Sequence, residues 1–519
     1  MKQVTSLSPE QATVLDRDSC YRAVAAKDTR FDGVFFTGVK TTGIYCRPVC
    51  SAKTPRQSSC QFFNSAAAAE SAGFRPCLRC RPELAPYALQ QNLAYAVWQR
   101  IAAGGMNGKD EESTTETLAA QIGLSSRQLR RVLLQHFGVT PIELAQTQRL
   151  LFAKKLLQET RLPMADVAFA SGFGSVRRFN ALFASRYGLA PGAVRRAGQA
   201  EEIQPGSLTL RLAYRPPFAW REMLDYLGGR AIPGVEAVDL EQSSSAYLRT
   251  VQIGGLSGWL RVTHLEQRGQ LQVDAAPSLA PLLMPLLARV RSQFDLDANP
   301  SVIESHLRED PMLARLIKAT PGLRVPGAFD SFELAVRAVL GQQVSVAGAS
   351  TLAARLVQRY GASAVTPWDK LTRHFPVPQV LAAADDIAGI GLPAARGQTI
   401  RRLAEFAASG GLEFKPGASL VAVISHLKSV AGIGDWTAHY IALRALRFPD
   451  AFPAGDLGLQ KAAANAGAGA KVAARFTEKQ LHARAEAWSP WRAYAALLLW
   501  RSLRGHDAAQ ASNNGKEKS

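Results

Sequence analysis

Two short cysteine spacings, Cys46 to Cys50 and Cys77 to Cys80, constrain the folding of this chain more than any other feature. They stand in Thr41-Thr42-Gly43-Ile44-Tyr45-Cys46-Arg47-Pro48-Val49-Cys50 and Gly73-Phe74-Arg75-Pro76-Cys77-Leu78-Arg79-Cys80. Two such pairs separated by a longer span suit a tetrahedral zinc site of four thiolates, which obliges both segments to meet. The remaining cysteines, Cys20 and Cys60, lack a partner at ligand spacing and read as core or surface thiols. Zinc with four thiolates has a net double negative charge, and Arg47, Lys53, Arg75, Arg79 and Arg81 stand around it in sequence. Cations around electron-rich sulfur point to a metal site that works against phosphate, not a simple staple.

The chain has 519 residues, 47% of them hydrophobic, and a formal net charge of +19. Its length accommodates roughly three or four domains, each with its own core. A charge of this sign and size seeks a polyanion, with nucleic acid ahead of an anionic membrane surface. No apolar signal core follows Met1 to Ser6, and the apolar run Ala493 to Trp500 is too short to span a bilayer. All cysteines lie at or before Cys80, which argues against a secreted disulfide framework. A cytoplasmic protein with no membrane association is expected.

The chain reads as multidomain, mainly α with α+β parts. Residues 1–84 hold all the cysteines, and 85–198 read as helical with a polar break at 104–112. A linker-like stretch, 198–206, leads into strand-like pattern: Leu208, Leu210, Leu212 and Tyr214 alternate with Thr209, Arg211 and Ala213. Further strands are expected at Tyr247 to Ile253 and across Trp259 to Val273, with a turn near Arg268-Gly269. From about 277 the pattern is helical. The domain boundaries drawn are 207–320 for an antiparallel β-rich domain, 321–505 for an all-α domain and 506–519 for a disordered tail.

Within 85–198, Leu118 to Arg131 has the layout of a helix-turn-helix. Ala119 lets two helices cross, Gly123 allows the turn and Ser125 can cap the second helix. That helix carries Arg127, Arg130 and Arg131, suited to phosphate and base-edge contacts. The pattern returns at Val167 to Asn180, where Arg177 and Arg178 hold the equivalent place. Two units joined by an apolar-periodic helix from Pro141 to Gln158, ending in Phe183-Ala184-Ser185-Arg186-Tyr187-Gly188-Leu189-Ala190-Pro191, resemble the AraC-type DNA-binding domain.

Together the first 198 residues resemble the N-terminal half of the adaptive-response Ada family, through the Thr-Thr-Gly-Ile-Tyr-Cys-Arg-Pro-x-Cys and Phe-Arg-Pro-Cys-x-Arg-Cys runs. The resemblance implies that Cys46 accepts a methyl group from a DNA methylphosphotriester, with Cys46, Cys50, Cys77 and Cys80 binding one zinc per chain. Zinc keeps sulfur deprotonated at neutral pH, so it stays nucleophilic. Methylation removes one negative charge. At an effective dielectric of ~20 and roughly 6 to 8 Å, one charge is worth about 2 to 3 kcal/mol before screening. DNA affinity would rise by about one to two orders of magnitude. No cysteine follows Cys80, so direct reversal of O6-methylguanine is not expected.

Farther on, Leu427 to Ala438 reads as a helix-hairpin-helix, with Leu420, Val423, Ile424 and Leu427 as the apolar stripe of its first helix. Gly432 and Gly434 let the hairpin backbone approach a phosphate, with amides, including that of Thr437, at the next helix start. The similar Ala388 to Pro393 reads as an internal turn between helices. About twenty residues after the hairpin, Asp456 precedes a helix, where N-capping and catalysis can coexist. The order resembles the helix-hairpin-helix DNA glycosylases. Strand-cleaving members carry Lys where Trp436 stands, so a monofunctional enzyme without Schiff-base chemistry is implied. Trp436 and Tyr440 share a helix face, and Trp500 lies on a late helix; they read as core packing or as an electron-rich pocket for a cationic alkylpurine.

Residues 207 to 504 resemble the AlkA-type DNA-3-methyladenine glycosylase II family, through Pro216 to Trp220, Pro321 to Gly327, Val339 to Val346 and Trp488 to Tyr494. This implies that Asp456 is catalytic, that Trp436, Tyr440 and Trp500 line the base pocket, and that the hairpin holds a monovalent cation. The glycosylase chemistry itself needs no cofactor. Gln343 stands where the family places an apolar wedge, and Ala431 where a Pro often begins the hairpin.

The expectation is therefore a base-excision glycosylase fused to a methylation-activated regulator. Its partners would be alkylated and promoter double-stranded DNA, and RNA polymerase during activation. A monomer in the bacterial cytoplasm, nucleoid-associated, is expected. The alternative is a zinc-containing transcription regulator whose C-terminal half binds damage without catalysis.

Overall fold

The cysteine module is built on a small sheet whose register decides where the sulfurs go. In the computed structural model, which describes residues 16–86, 93–107, 111–197, 206–240, 245–414, 418–468 and 475–503, helix α1 (Arg17–Ala25) precedes strands β1 (Phe36–Val39), β2 (Ile44–Cys46) and β3 (Cys60–Phe63), helix α2 (Ala66–Ser71) and strand β4 (Arg75–Pro76). The strand order is β3-β1-β2-β4. β1 and β2 are antiparallel, turning at Gly43 with φ of +64°. β2 and β4 run parallel, with Ile44 opposite Arg75 and Tyr45 opposite Pro76. Cys46 and Cys77 therefore leave the sheet side by side.

Seven helices follow: α3 (Leu93–Ala102), α4 (Glu111–Ile122), α5 (Ser126–Phe137), α6 (Pro141–Glu159), α7 (Met164–Ala170), α8 (Val176–Tyr187) and α9 (Pro191–Ala197). α4–α5 and α7–α8 are the two expected helix-turn-helix units. Ser125 caps α5 in a reciprocal box with Gln128, and Ser175 accepts from the Arg178 amide at the start of α8. Both second helices end on a left-handed glycine, Gly138 and Gly188. Leu151 of α6 belongs to the same core cluster as Phe36, Tyr45, Phe63 and Phe74 of the cysteine module. The polar break is shorter than its composition suggests, because Glu111 and Glu112 already belong to α4. Residues 108–110, most of the 198–206 linker and the 506–519 tail lie outside the described residues.

The described residues up to Arg215, with Leu265–Ala288, form one compact unit. It includes β5 (Leu208–Ala213), which pairs antiparallel with a later strand, Gln270–Ala275. Pro216–His264, Arg289–Phe414 and the described residues from Ala418 onward form the second unit. Here α10 (Trp220–Gly228) precedes an antiparallel meander of β6 (Glu236–Asp239), β7 (Ala246–Ile253) and β8 (Leu256–Leu265). The strands expected across Trp259–Val273 are β8 and β9 (Gln270–Ala275), with the expected turn between them over Glu266–Arg268 and Gly269 at φ +59°. Within this strand-like region α10 and β6 went unread. α10 shows the apolar spacing Trp220, Met223, Leu224, Leu227, whereas β6 begins with a buried Glu236 that breaks alternation.

The remainder is helical: α11 (Leu283–Gln293), α12 (Pro300–Leu307), α13 (Pro311–Ala319), α14 (Ser331–Leu340), α15 (Val346–Tyr360), α16 (Pro378–Ala382), α17 (Ala394–Ala408), α18 (Leu420–Lys428), α19 (Asp435–Arg444), α20 (Leu457–Ala468), α21 (Glu478–Ala485) and α22 (492–503). Ala388 to Ile390 forms a turn between α16 and α17, as its Pro393 suggested. α18 and α19 are the hairpin helices, with Val423, Ile424 and Leu427 buried. Gly432, at φ +98°, lies so close to α17 that a Cβ there would stand 2.0 Å from Thr399 Oγ1. Glycine is required at that turn twice over.

Candidate functional site

The second unit contains a cavity of about 540 Å³, walled chiefly by α10, α14, α15, α19 and α22. Trp436, Tyr440, Asp456 and Trp500 all line it. Trp436 and Tyr440, one helical turn apart on α19, stack with ring centroids 5.4 Å apart and planes at 13°. Trp500 meets Tyr440 edge-on at 6.2 Å. The three rings are half-buried, so they face the cavity instead of closing into core.

Asp456 sits immediately before α20 and caps it: Leu459 N–H donates to Oδ1 at 2.8 Å. Trp500 Nε1–H donates to the same oxygen at 3.0 Å, and Trp436 Nε1–H to Oδ2 at 2.8 Å. The carboxylate is half-buried beside the two indoles.

Cations also line the cavity, a feature not anticipated from sequence. Arg444 is buried and donates to both the Tyr440 and Tyr226 hydroxyls at 2.7 Å. Arg230 lies 3.9 Å over the Tyr226 ring. Burial alone would raise the Tyr440 pKa, but Arg444 and Arg230 hold it down at about 8. The spacing Trp436, Tyr440, Arg444 at successive fourth positions was the available signal.

Gln343 is exposed in the α14–α15 connection at φ +55°, a region that disfavours residues with a Cβ, and Val344 beside it is also exposed. Its neighbour Gln342, overlooked in the sequence, donates to Gly432 O at 3.1 Å and to Thr437 Oγ1 at 3.0 Å. It ties this loop to the hairpin. Thr437 is buried. Gly434 caps α19 in extended conformation, with open space where a Cβ would stand.

In the first unit, the sulfur atoms of Cys46, Cys50, Cys77 and Cys80 lie within 4.8 Å of one another, and none of them is in a disulfide. The Arg47 amide donates to Cys80 Sγ at 3.4 Å. Four thiolates this close would repel one another strongly. Four such groups can all be thiolates only if a cation compensates them, and four soft sulfur donors at this spacing fit zinc. The cluster is a zinc-binding site.

The basic surroundings divide in two. Lys53, Arg75 and Arg79 are exposed. Arg47 and Arg81 are not available to phosphate, because each is committed to internal carboxylates. Arg47 is buried against Asp32, with Nε donating at 2.8 Å. Arg81 bridges Glu83 at 3.0 Å and Glu159 at 2.6 Å. Lys154 of α6, wholly buried, donates to Glu83 at 2.6 Å and to Cys77 O at 3.4 Å. Burial would raise the Glu83 pKa, but Lys154 and Arg81 hold it at about 2. The second cysteine turn is thereby fastened to the long helix of the helix-turn-helix domain. Arg127, Arg130 and Arg131 on α5, and Arg177 and Arg178 on α8, are exposed. Among the described residues no helix is long and apolar enough to cross a membrane.

Four family descriptions match the chain in order: the metal-binding domain of Ada over 19–83, a helix-turn-helix domain over 118–197, the AlkA N-terminal domain over 209–330 and the HhH-GPD superfamily base excision DNA repair protein over 336–490. A "Probable bifunctional transcriptional activator/DNA repair enzyme AlkA" of Mycobacterium tuberculosis is 38% identical over 94% of this chain and 97% of its own length. The "DNA-3-methyladenine glycosylase 2" of Escherichia coli is 36% identical over 56% of this chain and 95% of its own length. The E. coli "Bifunctional transcriptional activator/DNA repair enzyme Ada" is 36% identical over 25% of this chain and 36% of its own length.

Proposed function

The chain belongs to the family of bifunctional transcriptional activator/DNA repair enzymes, and from that premise we propose that it is a monofunctional DNA-3-methyladenine glycosylase II fused to a methylation-activated regulator. The observation that carries the glycosylase reading is Asp456, held by two indoles that line the same cavity. A flipped alkylpurine enters between Trp436, Tyr440 and Trp500, whose electron-rich faces favour its positive charge. As the N-glycosidic bond breaks, the Asp456 carboxylate stabilises the oxocarbenium-like sugar and orients the attacking water. No lysine is among the described residues lining the cavity, in keeping with hydrolysis without a Schiff base. Gln343 fills the space vacated by the flipped base, and the Gly432–Thr437 hairpin grips the backbone, with a monovalent cation at its carbonyls.

In the other unit one zinc per chain keeps the four sulfurs deprotonated when bound. Cys46, half-buried, attacks the methyl carbon of a DNA methylphosphotriester. The sulfur–carbon bond forms as the carbon–oxygen bond breaks, and the phosphodiester leaves with its negative charge. The site loses one negative charge, and the α5 and α8 arginines then hold promoter DNA more tightly for contact with RNA polymerase. The protein acts as a monomer in the cytoplasm, on the nucleoid.

Release of 3-methyladenine from alkylated DNA tests the first activity: wild type is expected to exceed Asp456→Asn by at least about 100-fold, and equal rates would end the enzyme reading. Mass spectrometry after incubation with methylphosphotriester DNA tests the second, with one added methyl on Cys46 expected; an unmodified Cys46 would leave only a zinc-dependent DNA-binding module.

A further inference from the structure

We propose that Trp436 and Trp500 are positioning residues for catalysis, acting through their indole N–H groups on Asp456 as well as through their faces on the base. The inference rests on the glycosylase reading above. A carboxylate oxygen has two lone pairs. On Oδ1 both are taken, by Leu459 N–H at 2.8 Å and Trp500 Nε1–H at 3.0 Å. On Oδ2 one is taken, by Trp436 Nε1–H at 2.8 Å. One acceptor position on Oδ2 is therefore left for water or the sugar, and the reacting oxygen of the pair is Oδ2.

The chemistry of the donors matters as much as their number. All three are neutral N–H groups. They hold the carboxylate in place without cancelling its charge, whereas a salt bridge would neutralise the field that stabilises a developing sugar cation. They also come from separate elements: α19, the first turn of α20, and α22. A carboxylate anchored from three directions cannot turn to offer Oδ1. Gly458 permits the arrangement, since a Cβ there would stand 3.0 Å from Oδ1 and 3.8 Å from Trp500 Cδ1.

The same side chains also build the aromatic wall, through the Trp436–Tyr440 stack and the Tyr440–Trp500 edge contact. Ring and N–H can be separated by experiment. Trp436→Phe and Trp500→Phe each keep an aromatic face and remove one donor. A hydrogen bond to a charged group predicts a fall of about 10- to 100-fold in the single-turnover rate of 3-methyladenine release for each. DNA affinity should hold, so that the loss falls on the chemical step and not on binding, a split that a merely structural role would not produce. Gly458→Ala keeps both indoles and crowds Oδ1; it should slow release in the same direction, and it stands in for either variant that fails to fold.

Unchanged rates, or a loss confined to affinity, would each overturn the positioning role. Asp456→Asn run alongside separates the two failures. If it is inactive while the phenylalanine variants match wild type, only the present inference falls. If it is as active as wild type, the glycosylase reading falls with it.

Discussion

Glu70 of α2 is wholly internal, yet its carboxylate is surrounded by hydroxyls more than by cations. Tyr45 O–H donates to it at 3.0 Å, Thr147 Oγ1 at 3.1 Å and Tyr187 O–H at 3.4 Å, with Arg186 at 3.8 Å. Burial raises its pKa to about 7, the hydroxyls and Arg186 offsetting only part of the cost. A carboxyl whose folded pKa lies above its unfolded value stabilises the fold fully below the unfolded value, near 4.5, and loses that contribution as pH rises through about 7. The difference corresponds to about 3 kcal/mol. Replacing Glu70 by Gln removes the titration and keeps the shape. Between pH 4.5 and 7, wild type should lose about 3 kcal/mol of protection relative to Glu70→Gln. Hydrogen exchange of the β1–β3 and α6 amides in the zinc-loaded full chain reads this locally, which matters because a chain of two compact units has no single unfolding free energy. Zinc-linked protonation acts on both proteins and cancels in the difference. Parallel pH dependence would refute the reasoning.

Other outcomes follow from the same kind of contact. Lys154→Met strands Glu83 beside a single cation, and loss of one partner of a buried pair should cost about 3 to 5 kcal/mol, seen as early thermal unfolding of the first unit. Gly432→Ala sets a Cβ against Thr399 in a left-handed turn and should weaken binding of duplex DNA by about 10-fold in fluorescence anisotropy, with the cavity aromatics untouched. Stripping zinc with a chelator should lower the melting temperature of the first unit and leave base release unchanged, since all residues lining the cavity belong to the second.

Much of the architecture was legible because its signals are local. The cysteine pairs, the Gly123 turn and the Ser125 cap each depend on residues within one or two turns of chain. The alternating Leu208 to Leu212 run was legible for the same reason. β6 was hidden because Glu236 is buried by Arg337, a partner 101 residues away. Arg47 and Arg81 were misread as phosphate-facing for a related cause: Asp32 stands 15 residues from Arg47 and Glu159 stands 78 from Arg81, although Glu83, the second partner of Arg81, was close by.

By itself the sequence determined which chemistry is present: four thiolates, two helix-turn-helix readers, and a carboxylate among aromatics after a hairpin. Only the tertiary structure decided how those groups are held. The parallel pairing of β2 with β4 sets Cys46 beside Cys77. Lys154 fastens the cysteine turn to α6 across 77 residues, and Trp500 reaches Asp456 across 44. Spacing along a chain can specify a helix face or a turn, but a hydrogen bond between distant elements exists only once both have packed, and such bonds orient the candidate reacting groups.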